Sequence, residues 1–201
     1  MNRRKWLLGV AAVGAGGTVL AVTGRRAPSP EDATAVAAAA GADSSMQLVA
    51  LQRDWKMLLA EGVTPPSPAD KVSLSSDEWR KRLDKAAYNV LREEGTEPAG
   101  TSPLNNEKRA GVYACAGCDL PLFTSAMKYD SGTGWPSFFT TIPDVFGTKK
   151  DFHLIYPRTE YHCTRCGGHH GHLFDDGPKP TGLRYCNNGV ALKFIPKNAK
   201  A

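Results

Sequence analysis

The spacing of hydrophobic positions changes once along this chain. In residues 45–60, Leu48, Leu51, Trp55, Leu58 and Leu59 recur at intervals of three and four, which predicts a helix stopped by Thr64-Pro65-Pro66-Ser67-Pro68. A second helix is predicted over 75–94. Ser75 with Glu78 reads as a capping box, Trp79, Leu83, Ala86, Ala87, Val90 and Leu91 form an apolar stripe, and Gly95 ends it. Trp55 and Trp79 both fall on helical stripes and are assigned to core packing. After Pro103 the pattern becomes β-like, with apolar runs at 112–114, 152–156 and 190–195 separated by Gly, Pro, Asn and Asp clusters. Val190, Leu192 and Phe194 alternate with Ala191 and Lys193, predicting a strand with one buried face that ends at Pro196. The expected fold is mainly β and antiparallel.

Composition adds a bound and removes a function class. The 201 residues are 41% hydrophobic, enough for one domain with a core, and 20 Gly with 14 Pro suit a turn-rich body. The net charge of +5 is carried by the N-terminus: Arg3, Arg4, Lys5, Arg25 and Arg26 precede the first acid, Glu31. The rest of the chain is balanced, with no basic stripe for phosphates, so no nucleic acid is expected as a partner. Arg3 and Arg4 stand before an uncharged apolar run at 6–22, the pattern of a twin-arginine export signal. A retained membrane anchor competes with that reading, and the four glycines in the run weigh against it. The expected organisation is a signal and flexible leader at 1–40, a helical or irregular extension at 41–71, the main domain at 72–196 and a tail at 197–201. The expected location is the periplasm or cell envelope.

Five cysteines divide into four and one. Cys115 and Cys118, and Cys163 and Cys166, are two C-x-x-C pairs, each able to offer two thiolates from one tight turn to a tetrahedral metal. Four thiolates leave no open coordination position, so a zinc here is structural. Iron in the same cage, two disulfides and redox dithiols are the alternatives. Cys186 is left over, near Arg184 and downstream of all 5 His: His153, His162, His169, His170 and His172. As a small buried hydrophobe it needs no function; beside cations it is a candidate nucleophile, because the thiolate is the reactive form. His153 and His162 give no reason to prefer a function.

Taken together, Cys115-x-x-Cys118, Tyr129-Asp-Ser-Gly-Thr-Gly-Trp135-Pro-Ser-Phe138, Cys163-x-x-Cys166, His169-His-Gly-His172, Asp176-Gly-Pro and Arg184-Tyr-Cys186-Asn-Asn188 resemble the type B methionine sulfoxide reductases. Order and spacing both match over residues 72–195. The resemblance implies two twisted antiparallel sheets with N-terminal helices packed at one side, stapled by one zinc. It also implies reduction of the R epimer of methionine sulfoxide in oxidised proteins. By resemblance Cys186 is the nucleophile, His172 the proton donor and His169 a group orienting the sulfoxide. Trp135 and Phe138 would wall the substrate methyl group, and Arg184, Asn188 and Asp176 would support the polar network. Many members carry a second redox cysteine where this chain has Thr133. A one-cysteine cycle is therefore expected, with an external dithiol such as a thioredoxin-like protein reducing the Cys186 sulfenic acid directly. A metal-stapled binding module, and a reductase of some other sulfoxide, remain as alternative readings. His170 and Asp175 have no assigned role.

Overall fold

The computed structural model describes residues 30–152 and 157–197. Residues 1–29, the tail beyond 197, and His153 with the rest of the 152–156 run after Phe152 lie outside the described residues. The chain divides into two units, Met1–Ala37 and Ala38–Ala201. No helix among the described residues is long and apolar enough to cross a membrane.

Helix α1, Pro30–Arg53, begins inside the stretch expected to be signal and flexible leader and ends earlier than the pattern predicts. Its opening is rich in alanine, the strongest helix former, which explains the early start. A 3-10 turn, Asp54–Leu58, follows it. Leu51 and Trp55 pack against the core as the periodicity requires. The second predicted helix is two helices, α2 (Ser76–Arg82) and α3 (Lys85–Glu93). Its capping box is present: Glu78 N donates to Ser75 Oγ and Ser75 N to the Glu78 carboxylate. The break at Leu83 arises because Asp84 acts as a second N-cap, accepting from Ala87 N at 2.8 Å. Most of the apolar stripe survives the break: Trp79, Leu83, Ala87, Val90 and Leu91 are buried, whereas Ala86 is exposed.

Among the described residues nine strands follow, arranged in two antiparallel sheets. The smaller has the order β2-β1-β9, from β1 (Gly111–Cys115), β2 (Pro121–Thr124) and β9 (Leu192–Pro196). The larger has the order β3-β4-β8-β7-β6-β5, from β3 (Lys128–Tyr129), β4 (Ser137–Phe138), β5 (Phe146–Asp151), β6 (Arg158–Cys163), β7 (His169–Phe174) and β8 (Arg184–Asn187). Stacked Phe123 and Phe138 rings, 3.9 Å apart, lie in the core that β2 and β4 share. Helix α3 packs on β7 and on the 3-10 turn Gly189–Ala191. The last strand begins two residues later than predicted: Val190 and Ala191 belong to that turn, and Ala191 is buried rather than facing solvent.

Candidate active site

The register of the larger sheet assembles the chemistry. Ser137 on β4 and His172 on β7 are both paired with Cys186 on β8. His172 is paired in turn with Glu160 on β6, and Glu160 with Lys149 on β5. Paired residues project to the same face of a sheet with β-carbons about 5 Å apart, so hydroxyl, thiol, imidazole, carboxylate and ammonium form one row across five strands. Gly171 makes the close approach of β7 to β8 possible. A β-carbon there would lie 2.0 Å from the Cys186 carbonyl oxygen.

A pocket of about 120 Å³ opens over this row, walled by Trp135, Phe174, His172, Arg158, Thr96 and Cys186. Burial pushes the Cys186 thiol above its ordinary range; the Arg184 cation and hydrogen bonds from Thr133 and Arg184 pull the other way and do not prevail. Arg184 is itself held by Asp176 through paired bonds of 2.7 and 2.8 Å, and its guanidinium lies 4.1 Å from the centre of the Phe174 ring. Thr133 continues into a hydroxyl chain, with Ser131 Oγ 2.8 Å from both Thr133 Oγ1 and Ser137 Oγ. His172 Nε2 bonds Asp151 Oδ2, which also accepts from Arg158 at 2.6 Å. Burial lowers the His172 pKa, opposed by that carboxylate.

The residues expected from the sequence separate into groups. Cys186, His172, Trp135 and Asn188 share the pocket. Asn188 reaches it with its side chain already committed, accepting from Glu97 N at 2.9 Å and donating to the His170 carbonyl at 3.0 Å. Arg184 and Asp176 stand behind the thiol rather than in the pocket wall. Phe138 is a correction: it is fully buried, stacked on Phe123, with no part in the pocket. His169 is another. It lies 3% exposed on the wall of an adjoining cavity, with Nδ1 2.8 Å from Glu160 Oε1.

Sequence reasoning missed Asp151, Glu160, Arg158 and Glu97. Glu97 is buried; its carboxylate accepts from Gly189 N and Val190 N, and its carbonyl accepts from Trp135 Nε1 at 3.0 Å. It fixes the indole, and the Gly95-Thr96-Glu97-Pro98 exit from α3 was its only signal.

The four remaining cysteines come from two turns of the same design. Cys115 N donates to Leu120 O and Asp119 N to Cys115 O; Cys163 N donates to Gly168 O and Gly167 N to Cys163 O. Asp119 and Gly167 take the same left-handed conformation, φ 64 and 68. The sulfurs are buried, all within 4.8 Å of one another, with Cys115–Cys166 at 3.7 Å and Cys118–Cys163 at 3.6 Å. A tetrahedron with zinc–sulfur bonds of about 2.3 Å has edges of about 3.8 Å, whereas a disulfide needs sulfurs about 2.05 Å apart. The quartet fits a structural zinc, which would tie the tip of β1 to the turn between β6 and β7.

Comparison with known proteins agrees with this arrangement. Residues 83–196 match the SelR domain. The chain is 51% identical over 128 residues to the chloroplastic peptide methionine sulfoxide reductase B1 of Oryza sativa subsp. japonica, covering 63% of this chain and 60% of the relative. To the protein of the same name in Arabidopsis thaliana it is 52% identical over 124 residues, 61% of each chain. The chain thus spans about three fifths of the length of these two plant relatives. With peptide methionine sulfoxide reductase MsrB of Pseudomonas putida (strain W619) it shares 50% identity over 130 residues, 64% of this chain and 97% of the relative. With the SelR match covering more than half of its length, the chain belongs to the SelR domain family.

Proposed function

We propose that this protein reduces the R epimer of methionine sulfoxide in oxidised proteins, using Cys186 as the nucleophile. The observation that carries the reading is the pairing of Cys186 with His172 across adjacent strands, in a pocket walled by Trp135. The Cys186 thiol gives its proton to His172, whose imidazolium the Asp151 carboxylate stabilises. The thiolate attacks the sulfoxide sulfur while the Trp135 face holds the S-methyl group. The oxygen, protonated from His172, passes to Cys186 Sγ as the transient sulfur–sulfur bond and the substrate sulfur–oxygen bond break, so that methionine leaves and Cys186 is left as a sulfenic acid. Sulfur in the substrate is reduced by two electrons and sulfur in the enzyme is oxidised by two. Two external thiols then restore Cys186, releasing water and a disulfide.

Thr133 cannot act as a resolving thiol, and the other cysteines are buried in their own cluster. The reductant is therefore external, a thioredoxin-like protein or another dithiol. The zinc is a scaffold here and takes no step. The paired arginines before the apolar run at 6–22 support export to the periplasm or cell envelope. Assaying both sulfoxide epimers, protein-bound and free, with the parent and Cys186→Ser tests the reading. Turnover of the R epimer that vanishes on substitution is expected; full turnover by Cys186→Ser, or preference for the S epimer, would overturn it. With reductant omitted, a sulfenic-acid probe should label Cys186, and a disulfide containing Cys186 would refute the one-cysteine cycle.

A further inference from the structure

Glu97 bonds through its peptide N–H, its carbonyl and both carboxylate oxygens, and those bonds reach two different walls of the thiol pocket. The N–H donates to Asn188 Oδ1 at 2.9 Å, and the carboxylate oxygens accept one each from Gly189 N and Val190 N. Glu97 thereby holds the three residues that directly follow the strand carrying Cys186. Its carbonyl accepts from Trp135 Nε1 at 3.0 Å. Trp135 and Asn188 both line the pocket.

The contact is built for close approach. A β-carbon at Gly189 would lie 1.8 Å from Ser102 Oγ and 3.2 Å from Glu97 Oε1, so the segment after α3 lies directly against the turn that follows the thiol strand. Trp135 itself sits in the loop between β3 and β4, whose backbone is tied at Gly134 O by Gly100 N at 2.8 Å and by Asn105 Nδ2 at 2.9 Å. Those bonds hold the loop; the bond from the indole N–H to Glu97 O fixes the ring. A carboxylate suits the anchor because two successive backbone N–H groups each need an acceptor, and an amide side chain has one oxygen. We infer that Glu97 is a positioning residue that sets the gap between the Trp135 ring and Cys186, and through it the size of the alkyl group accepted on the substrate sulfur, an inference that rests on the activity proposed above. In a pocket of about 120 Å³, one more methylene on that sulfur meets the indole.

The R-sulfoxides of N-acetyl-methioninamide and N-acetyl-ethioninamide, which differ by that methylene, test this on the full chain with dithiothreitol as reductant. The parent should prefer the methyl compound by about tenfold or more in kcat/KM, the ordinary discrimination for one methylene in a fitted pocket. In Glu97→Gln the preference should fall below about threefold, with KM for the methyl compound raised about fivefold, the ratio for one lost hydrogen bond. A smaller folded fraction would scale both substrates alike, so the ratio reports the wall and not the stability. Glu97→Asp, one methylene shorter with both acceptors kept, should loosen the preference as well and serves if the Gln variant fails to fold. In Trp135→Phe, which lacks the N–H, adding Glu97→Gln should change the ratio by less than about twofold, because the two residues act as one unit. A parent that does not distinguish the two sulfoxides, a preference unchanged in the Glu97 variants, or fully additive effects with Trp135→Phe would overturn the role of Glu97 and leave the reductase activity standing. No turnover of either R-sulfoxide by the parent would instead sink the activity, and this inference with it.

Discussion

His172 Nε2 lies 2.7 Å from Asp151 Oδ2, on a strand three places along the sheet from the thiol. Because an ionised carboxylate only accepts, the bond puts a proton on Nε2 and leaves Nδ1 to exchange protons with the reacting groups. Asp151→Asn keeps the shape but loses the charge that stabilises an imidazolium. Its kcat should fall about tenfold to a hundredfold, part of the factor that general acid–base catalysis supplies, with KM nearly unchanged. Steady-state kinetics on an R-sulfoxide peptide check this; an unchanged kcat would remove Asp151 from the mechanism.

The pH dependence follows from the burial of Cys186. Its thiol is raised above the ordinary range, so the thiolate is a minor form at neutral pH and gains tenfold with each unit of increase until the pKa is passed. Alkylation of Cys186 by iodoacetamide should accelerate on that slope. Arg184→Gln removes a cation that favours the thiolate, so its profile should move to higher pH. A shift to lower pH would contradict the assigned electrostatics.

Gly171 sets the spacing between β7 and β8. In Gly171→Ala the new methyl meets the carbonyl of Cys186, a backbone atom that cannot swing aside as a side chain can. The strand bearing the thiol must shift, and a misplacement of about 1 Å can cost about a hundredfold in rate. Circular dichroism should remain near that of the parent while kcat/KM collapses.

The sulfur quartet predicts close to one zinc per chain by elemental analysis of the folded protein. Cys118→Ser should lose the metal and lower the melting temperature by about 10 °C or more, since a structural site contributes its binding energy to folding. A variant that loses zinc yet melts with the parent would show the ion to be dispensable.

A further test concerns His170, whose buried ring is pushed down to about 3 while an unfolded histidine titrates near 6.5. Between those values the unfolded chain binds the extra proton, so stability contributed by the neutral ring is intact above about pH 6.5 and declines by about 1.4 kcal/mol per unit as pH falls toward 3. Denaturant midpoints of His170→Leu should lose this part of the acid slope, and a slope equal to the parent's would count against it.

How much could be read from residue order depends on the range of each interaction. The four clustered cysteines were legible as a possible metal site because a C-x-x-C turn is local, and Cys186 because it had no partner. His169 and His172 were legible as types but not as neighbours: three residues apart on a regular strand they would face opposite sides. A register shift between Tyr161 and His162 makes His170 the extra residue and sends it into the core, bringing the other two rings to 5.4 Å. Asp151 was hidden for another reason. Strand β5 is polar and largely exposed at its middle, so the apolar run after it was read as the strand instead. The split at Leu83 shows a local cap overruling an unbroken apolar stripe.

One group from each of five strands supplies the row that includes Cys186, His172 and Glu160. These five strands are consecutive in the chain, from Ser137 to Asn187, although their order across the sheet is different. Closing the sheet over Cys186 therefore guards the sulfur: burial keeps it more fully protonated at neutral pH than in the unfolded chain, while setting it opposite His172.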